Sequence, residues 1–198
     1  MAVSIVALAL PEVRLIVPDR FLDERGFFSE TYSRRALAEA GIADEFVQDN
    51  HSLSVPAGTL RGLHYQLPPF AQAKLVRVTR GAVLDVAVDL RRRSPTFGRH
   101  VAAMLSASAW NQLFVPVGFA HGFCTLEPDT EIVYKVTAPY SREHDCGVRW
   151  NDPDLAIDWP VGPEAVVLSD KDRVLPRLAD VAESALFELG VMDRETLQ

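Results

Sequence analysis

The most regular pattern in the chain is Ala73-Lys-Leu-Val-Arg-Val-Thr-Arg-Gly-Ala-Val-Leu-Asp-Val-Ala-Val-Asp-Leu90. In its second half, alternate apolar side chains lie on one face of an extended strand, and these are Leu84, Val86, Val88 and Leu90. Asp85 and Asp89 lie on the other face. The first half alternates in the same way over 73–79, and Arg80-Gly81 supplies a turn. The stretch therefore predicts two neighbouring strands.

Short segments of the same kind recur along the chain, separated by Gly and Pro. The further predicted strands are 13–17, 27–32, 46–54, 60–66, 99–105, 112–115, 119–126, 130–136 and 147–150. Helical periodicity is confined to 34–40, where Ser33 can cap the helix and Gly41 can end it, and to the segment from Leu175 to Leu189. Many short strands with few helices indicate a sandwich, barrel or jelly roll, and they disfavour a βαβ fold.

Length and composition narrow the class of protein. The 198 residues predict a single domain over 1–198, and the net charge of −7 argues against broad nucleic-acid binding. No apolar run reaches the roughly 18 residues of a membrane span, and the apolar segment 2–10 lacks the cationic start of a secretory signal. Cys124 and Cys146 lie outside any Cys-x-x-Cys pattern, so we expect no disulfide framework and a cytoplasmic location.

His64 is the first candidate for chemistry. It lies in Arg61-Gly-Leu-His-Tyr-Gln66, where an extended strand puts it on one face with Gly62 and Gln66. An imidazole in such surroundings can line a cavity, and its reference pKa of about 6.5 suits a general base. A hydrogen-bonded structural histidine fits the same pattern.

Residues 116–122 read Pro-Val-Gly-Phe-Ala-His-Gly, and this spacing resembles the second motif of the cupin superfamily. Metal-binding cupins carry His-x-His followed by Glu in the first motif. Here the corresponding positions hold His64-Tyr65-Gln66 and Lys74. A lysine cannot ligate a cation and glutamine is a poor substitute for imidazole, so the pattern favours a cupin-like barrel with no metal.

A cavity of this composition suits proton transfer beside a carbonyl group. A base removes the acidic α-proton, and a fixed cation meets the developing oxyanion. Lys74 and His121 are candidates for the second task. Tyr134 alternates with apolar neighbours and could donate a proton from the opposite face, although a core aromatic fits equally well.

Short motifs in a fixed order strengthen this interpretation. They are Asp23-Glu-Arg-Gly-Phe-Phe28, Val47-Gln-Asp-Asn-His-Ser52, Arg61-Gly-Leu-His-Tyr-Gln66, Gln72-Ala-Lys74, Asp85-Val-Ala-Val-Asp89, Ser94-Pro-Thr-Phe-Gly98, Gly118-Phe-Ala-His-Gly-Phe123, Tyr134-Lys135, Trp159-Pro160 and Leu168-Ser-Asp-Lys-Asp172. Together they resemble the dTDP-4-dehydrorhamnose 3,5-epimerases, cupin-fold enzymes of dTDP-L-rhamnose biosynthesis. The resemblance spans about 10–176, which leaves 177–198 as a predicted helical extension. It implies a mainly β, cupin-type double-stranded β-helix (a jelly roll) with a few short helices.

The resemblance also implies roles for individual residues. His64 would be the base, oriented by Asp172, while Tyr134 would be the acid and Lys74 would face the keto oxygen. Substrate contacts are implied at Arg25, Glu30, Gln48, Asn50, Arg61, His121, Tyr140, Asp145 and Lys171. Among these, Arg25 and Arg61 would meet the diphosphate and Tyr140 would stack near thymine. Asp145 stands where the family often has Glu, so its shorter arm could weaken that contact.

The implied reaction is the conversion of dTDP-4-dehydro-6-deoxy-D-glucose to dTDP-4-dehydro-L-rhamnose, an isomerisation that uses no cofactor. The family also implies a homodimer in which an N-terminal strand joins the partner's sheet. Three alternatives remain at this point: an epimerase acting at C3 or C5 only, a metal-dependent cupin, and a non-catalytic nucleotide-sugar-binding jelly roll.

Overall fold

The protein is described here by a computed structural model that covers residues 3–189. Strands dominate it, and most of them form two antiparallel sheets with apolar core between them. The strands are β1 Val3–Ala7, β2 Arg14–Pro18, β3 Phe21–Asp23, β4 Gly26–Phe28, β5 Gln48–Ser54, β6 Leu60–Gln66, β7 Lys74–Arg80, β8 Ala82–Asp89, β9 Arg91–Arg92, β10 His100–Ser106, β11 Gln112–Val115, β12 Phe119–Thr125, β13 Thr130–Val136, β14 Asp145–Gly147 and β15 Phe187–Glu188.

The larger sheet has six strands in the order β1-β2-β11-β7-β13-β5, and the smaller has five in the order β10-β8-β12-β6-β14. Strands that are distant in sequence are therefore neighbours in space, as in a jelly roll. Helix α1 spans Arg34–Glu39, and Ser33 caps it as predicted. Helix α2 spans Asp170–Arg173 and is capped by Ser169. No helix within residues 3–189 is both long and apolar enough to cross a membrane.

Two predicted strands differ in extent from the structure. The segment 27–32 contributes only Gly26–Phe28, which pairs with Phe21–Asp23 in a two-stranded hairpin. The last predicted strand, 147–150, instead pairs over Asp145–Gly147 with the end of β6. Both shifts follow from pairing partners, which a single strand's periodicity does not reveal.

The helix predicted from Leu175 to Leu189 is wrong over the described residues. Two 3₁₀ turns, Leu178–Asp180 and Glu183–Ala185, are followed by strand β15, which pairs in parallel with β9. The apolar residues of this segment pack on the outer face of the five-stranded sheet, and the Tyr65 hydroxyl donates to the Ala185 carbonyl at 2.8 Å. Tertiary packing therefore overrides the helical period. Residues 190–198 of the predicted extension lie outside the described part.

Strand β8 is buried on both faces. Its Leu84, Val86 and Val88 face the C-terminal segment 178–187 (the covering segment), while Val83 and Ala87 face the core between the sheets. Asp85 and Asp89 share that inner face and are fully buried, and each has a hydrogen-bonding partner there. The polar face of the predicted strand is therefore an interior face.

The N-terminal region forms the edge of the six-stranded sheet. Strand β1 pairs antiparallel with β2 of its own chain, from Val3 opposite Pro18 to Ala7 opposite Arg14. The nearby β3–β4 hairpin leaves four large apolar side chains exposed, namely Phe21, Leu22, Phe27 and Phe28. An exposed apolar group of this size is typical of a contact surface.

Candidate active site

A cavity of about 430 Å³ lies between the two sheets. Side chains from both sheets and from α2 line it, including Arg61, His64, Lys74, His121, Tyr134 and Asp172. A second chamber of about 190 Å³ shares His64, Lys74 and Tyr134 with it and adds Gln48, Asn50, Tyr140, Asp145 and Lys171. The structure thus brings all but two of the predicted site residues to one continuous site.

His64 and Asp172 form a hydrogen-bonded pair although 108 positions separate them. His64 projects from β6, and Asp172 projects from the short helix α2, whose N-cap is Ser169. The Nε2–Oδ1 distance is 2.5 Å. A carboxylate acceptor at Nε2 fixes the proton there and leaves Nδ1 as the basic nitrogen.

The environment keeps Asp172 ionised. Burial raises the pKa of this carboxyl, but hydrogen bonds from His64 and Ser169, together with the nearby positive charges, more than compensate and hold the pKa below its ordinary value. Asp172 is only 3% exposed. The imidazolium that forms when His64 takes a proton therefore has a charged partner already in place.

A second imidazole–carboxylate pair lies beside the first. His121 on β12 pairs in register with His64 on β6, and its Nε2 is 2.8 Å from Oδ1 of Asp85. Both members of this pair are buried. The role of Asp85 was missed from sequence, yet a signal was present. An aspartate within an apolar strand that is buried on both faces needs a polar partner.

Lys74 begins β7 and places a buried ammonium in the cavity. Its Nζ lies 3.4 Å from the main-chain carbonyl of His64. Burial lowers the pKa of Lys74 to about 8, and the negative charges of Asp85 and Asp145 limit the decrease. At neutral pH the ammonium is still mostly charged, so it can stabilise an oxyanion.

Tyr134 lies on the inner face of β13, in the six-stranded sheet, whereas His64 belongs to the five-stranded one. Burial raises the pKa of the Tyr134 phenol, and the positive charge of Arg61 partly offsets this. The phenol is therefore protonated at neutral pH. It can donate a proton to a ligand held between the sheets.

The smaller chamber carries polar groups that link its walls. The Asp145 carboxylate accepts from the Tyr140 hydroxyl at 3.1 Å and from the Lys171 ammonium at 2.5 Å. Its shorter arm therefore still joins β14 to α2. Gln48 donates to Asn50 at 2.8 Å on strand β5.

Arg25 and Glu30 do not line either chamber. Arg25 lies at the tip of the β3–β4 hairpin, where its side chain is 85% exposed and pairs with Asp23. Glu30 follows the same hairpin and is exposed. The prediction that these two residues join the pocket is therefore not met within a single chain, because the hairpin projects away from the cavity.

The position at which metal-binding cupins have a second histidine serves another purpose. The Gln66 amide donates to the carbonyls of Phe70 and Pro139 and accepts from the Ser141 amide, which ties two loops together. Over residues 3–189, no three His, Cys, Asp or Glu side chains are grouped as metal ligands would be.

A histidine paired with an ionised aspartate, a protonated phenol and a buried ammonium around one cavity are the groups that an epimerase needs, an isomerase that moves protons at carbon. The sequence model of the dTDP-4-dehydrorhamnose 3,5-epimerase family matches residues 7–180, and the chain belongs to this family. The predicted family, enzyme class and cupin-type fold are thereby confirmed.

Individual relatives agree with this assignment. The chain is 54% identical over 182 residues to a dTDP-4-dehydrorhamnose 3,5-epimerase of Sinorhizobium fredii, covering 90% of this chain and 91% of the relative. It superposes with a TM-score of 0.90 on the Legionella pneumophila dTDP-6-deoxy-D-glucose-3,5-epimerase in complex with dTDP-4-keto-L-rhamnose. That pair is 44% identical and covers 94% of this chain and 98% of the other.

A more distant structural relative acts differently. A 3'-monoepimerase from Streptomyces bikiniensis, in complex with dTDP-quinovose, is 34% identical and superposes with a TM-score of 0.83. The match covers 91% of each chain. The fold therefore supports both double and single epimerisation.

Proposed function

We propose that the chain converts dTDP-4-dehydro-6-deoxy-D-glucose to dTDP-4-dehydro-L-rhamnose. The observation that carries the proposal is the His64–Asp172 pair, which faces a cavity whose opposite wall holds a protonated Tyr134. Inversion at a carbon needs a base on one face and an acid on the other. The 4-keto group supplies the acidity at C3 and C5.

The chemistry proceeds through an enolate at each carbon. His64 takes the proton through Nδ1, and Asp172 stabilises the resulting imidazolium. The electron pair of the broken C–H bond moves onto the 4-keto oxygen, where Lys74 and His121 stabilise it. At C5, Tyr134 then returns a proton to the opposite face as the carbonyl re-forms. At C3, the ring first reorients, and the proton comes from Tyr134 or from solvent. Proton removal and return are redox-neutral, so the reaction itself needs no cofactor.

The nucleotide occupies the smaller chamber in this proposal. Tyr140 is 60% exposed at its edge, as a ring awaiting a thymine would be. Arg61, in the wall of the larger cavity, offers a planar guanidinium to the diphosphate. Gln48, Asn50, Asp145 and Lys171 supply the remaining polar contacts.

Proton NMR in deuterium oxide tests the proposal. The double epimerase incorporates solvent deuterium at both C3 and C5, and a 4-keto reductase that accepts only the L-lyxo product consumes the product. No turnover, with normal dTDP-sugar binding, would instead support a binding protein. Activity that disappears with a chelator and returns with iron would support a metal-dependent cupin.

A single-site epimerase is the second candidate, and the similarity to the monoepimerase of Streptomyces bikiniensis supports it. Deuterium at one carbon only would establish it. The higher identity to the double epimerases, 54% against 34%, supports the first candidate.

We also propose that the protein works as a homodimer. The exposed apolar side chains of the β3–β4 hairpin support a contact with a second copy, and that contact would carry Arg25 and Glu30 to the partner's pocket. In an exchanged dimer, β1 would make its pairing with the partner's β2 in place of its own. Light scattering on the whole chain and on a chain lacking residues 1–9 tests both points.

Mixed dimers test the shared site directly. Subunits carrying His64→Ala and Arg25→Ala are each expected to be inactive. If the hairpin completes the partner's pocket, a mixed dimer regains one intact site. Random mixing then restores about a quarter of wild-type activity. If Arg25 serves its own subunit's pocket, mixing restores nothing.

We propose a cytoplasmic location, supported by the two cysteines. Cys124 and Cys146 are both free thiols, and Cys124 is buried. Free thiols are typical of reducing compartments. Fractionation of cells that express the chain tests this.

A further inference from the structure

The hydroxyl of Ser169 makes two hydrogen bonds with the same residue, Asp172. It accepts from the Asp172 amide at 3.2 Å, which caps α2, and it donates to Oδ2 of the Asp172 carboxylate at 2.9 Å. Ser169 also lines the larger cavity. One small side chain therefore holds both the backbone and the carboxylate of the residue that pairs with the base.

The two carboxylate oxygens of Asp172 have separate partners. Oδ1 accepts from His64, whereas Oδ2 accepts from Ser169. Two anchored oxygens fix the rotation of a carboxylate about its last bond. Without the hydroxyl, Oδ2 would be left without that donor in a buried position, which carries a large free-energy cost.

Helix α2 gives the carboxylate little other support. It has four residues, a single turn, so its own backbone hydrogen bonds constrain it weakly. The positive charge of Lys171, on the same helix, acts on Asp172, while Arg61 and Lys74 line the same cavity. Lys171 is itself tied to Asp145. A charge at the position of Lys171 attracts the carboxylate without orienting it towards the imidazole.

We infer that Ser169 is a positioning residue for the epimerisation, because its hydroxyl holds Asp172 so that Oδ1 faces Nε2 of His64. The inference rests on the proposed function for its kinetic consequence. Its structural consequence, a fixed short hydrogen bond between His64 and Asp172, can be measured without substrate.

The test compares three variants of one position with a matched control. Ser169→Gly keeps an acceptable N-cap but loses the donor, Ser169→Ala loses both, and Ser169→Thr keeps the hydroxyl. Ser33→Ala removes the equivalent cap from α1, where Ser33 accepts from the Ala36 amide, and Ser33 lines neither chamber. The readouts are kcat, the strongly deshielded Nε2–H proton of His64 in the NMR spectrum, and Tm.

We expect kcat to fall roughly tenfold or more in Ser169→Gly and Ser169→Ala, the loss typical of a hydrogen bond to a charged group. The deshielded signal should disappear or broaden in both. Ser169→Thr should keep the signal and most of the activity. Ser33→Ala should lower Tm while leaving both kcat and the signal unchanged.

Wild-type kcat and an unchanged signal in Ser169→Gly would overturn the inference. So would a Ser169→Thr variant that is folded and as slow as Ser169→Gly. If the wild-type chain shows no turnover of the 4-keto sugar, the proposed function fails. The NMR comparison then still decides whether Ser169 positions Asp172.

Discussion

His64 and His121 lie opposite each other on the paired strands β6 and β12, and each is bound through Nε2 to its own carboxylate. Their surroundings differ, because the side chain of His64 is 28% exposed and that of His121 only 7%. The more open imidazole is suited to exchange protons with a ligand. The enclosed one, held by Asp85, is suited to a fixed position in the wall of the cavity.

Replacing His64 should abolish the base while leaving the nucleotide chamber intact. We expect His64→Ala to lower kcat by about two to four orders of magnitude, because general-base catalysis contributes that much. Binding of dTDP, measured by calorimetry, should stay near the wild-type value. His100→Gln, on β10 and outside both chambers, serves as the control. Equal losses in both variants would contradict the assigned role.

Replacing Tyr134 should separate proton removal from inversion. In Tyr134→Phe the base still removes a proton and returns it to the same face. Substrate recovered from deuterium oxide should therefore carry deuterium with its configuration retained, while product formation falls by about two to four orders of magnitude. Tyr32→Phe, which packs against Phe46, is the control. Loss of deuterium exchange together with inversion would show that Tyr134 is needed earlier.

The buried ammonium should limit activity at alkaline pH. Because burial lowers the pKa of Lys74 to about 8, the cation is lost as the pH rises through that value. We expect kcat/KM to fall above about pH 8 in the wild type. Lys74→Met should be slow at every pH and should lack this fall in kcat/KM above pH 8. If the alkaline fall in kcat/KM persists in Lys74→Met, it arises from the titration of another group.

Lys74 should also lower the free energy of unfolding. Its pKa is 10.5 when exposed and about 8 in the fold, so protonation favours the unfolded chain. Below pH 8 both states hold the proton and the penalty is constant. Between about pH 8 and 10.5 only the unfolded state holds it, so stability rises with pH. Lys74→Met should raise the free energy of unfolding at pH 7 by up to about 3 kcal/mol in denaturant titrations. A destabilised Lys74→Met would contradict this.

A close approach of two strands positions the paired histidines. A Cβ built at Gly62 would lie 2.6 Å from the Gly122 Cα, and Gly62 has a φ of +137°. Gly62→Ala should therefore combine backbone strain of about 1–3 kcal/mol with a clash costing about 1–3 kcal/mol more. Gly26→Ala is the matched control, because its φ is +129° and open space surrounds it. Equal losses of Tm in the two variants would exclude the clash.

Many strands could be predicted from the sequence, because the alternation of apolar residues along a strand is a local pattern. The alternation around Val86 predicted β8, and Ser33 marked the start of α1. The segment from Leu175 to Leu189 misled the prediction, since its apolar residues satisfy a helical period but are buried against a sheet. Only the packing distinguishes the two arrangements.

The candidate site divides in the same way. His64, Lys74 and Tyr134 stood out by residue type and motif, and the structure brings them to one cavity. Asp85 and Ser169 act through other side chains, so their contribution depends on distances that no spacing reveals. The position of Arg25 depends on where a hairpin points, which periodicity does not encode.

The covering segment has a practical consequence for anyone who shortens the chain. The family match ends at residue 180, yet Phe187 is buried against the outer face of the sheet. Tyr65, next to His64, also hydrogen-bonds to Ala185. A truncation at residue 180 would expose the apolar outer face of strand β6, which carries the base His64. Such a shortened protein should aggregate during purification, and tags are better attached beyond Leu189.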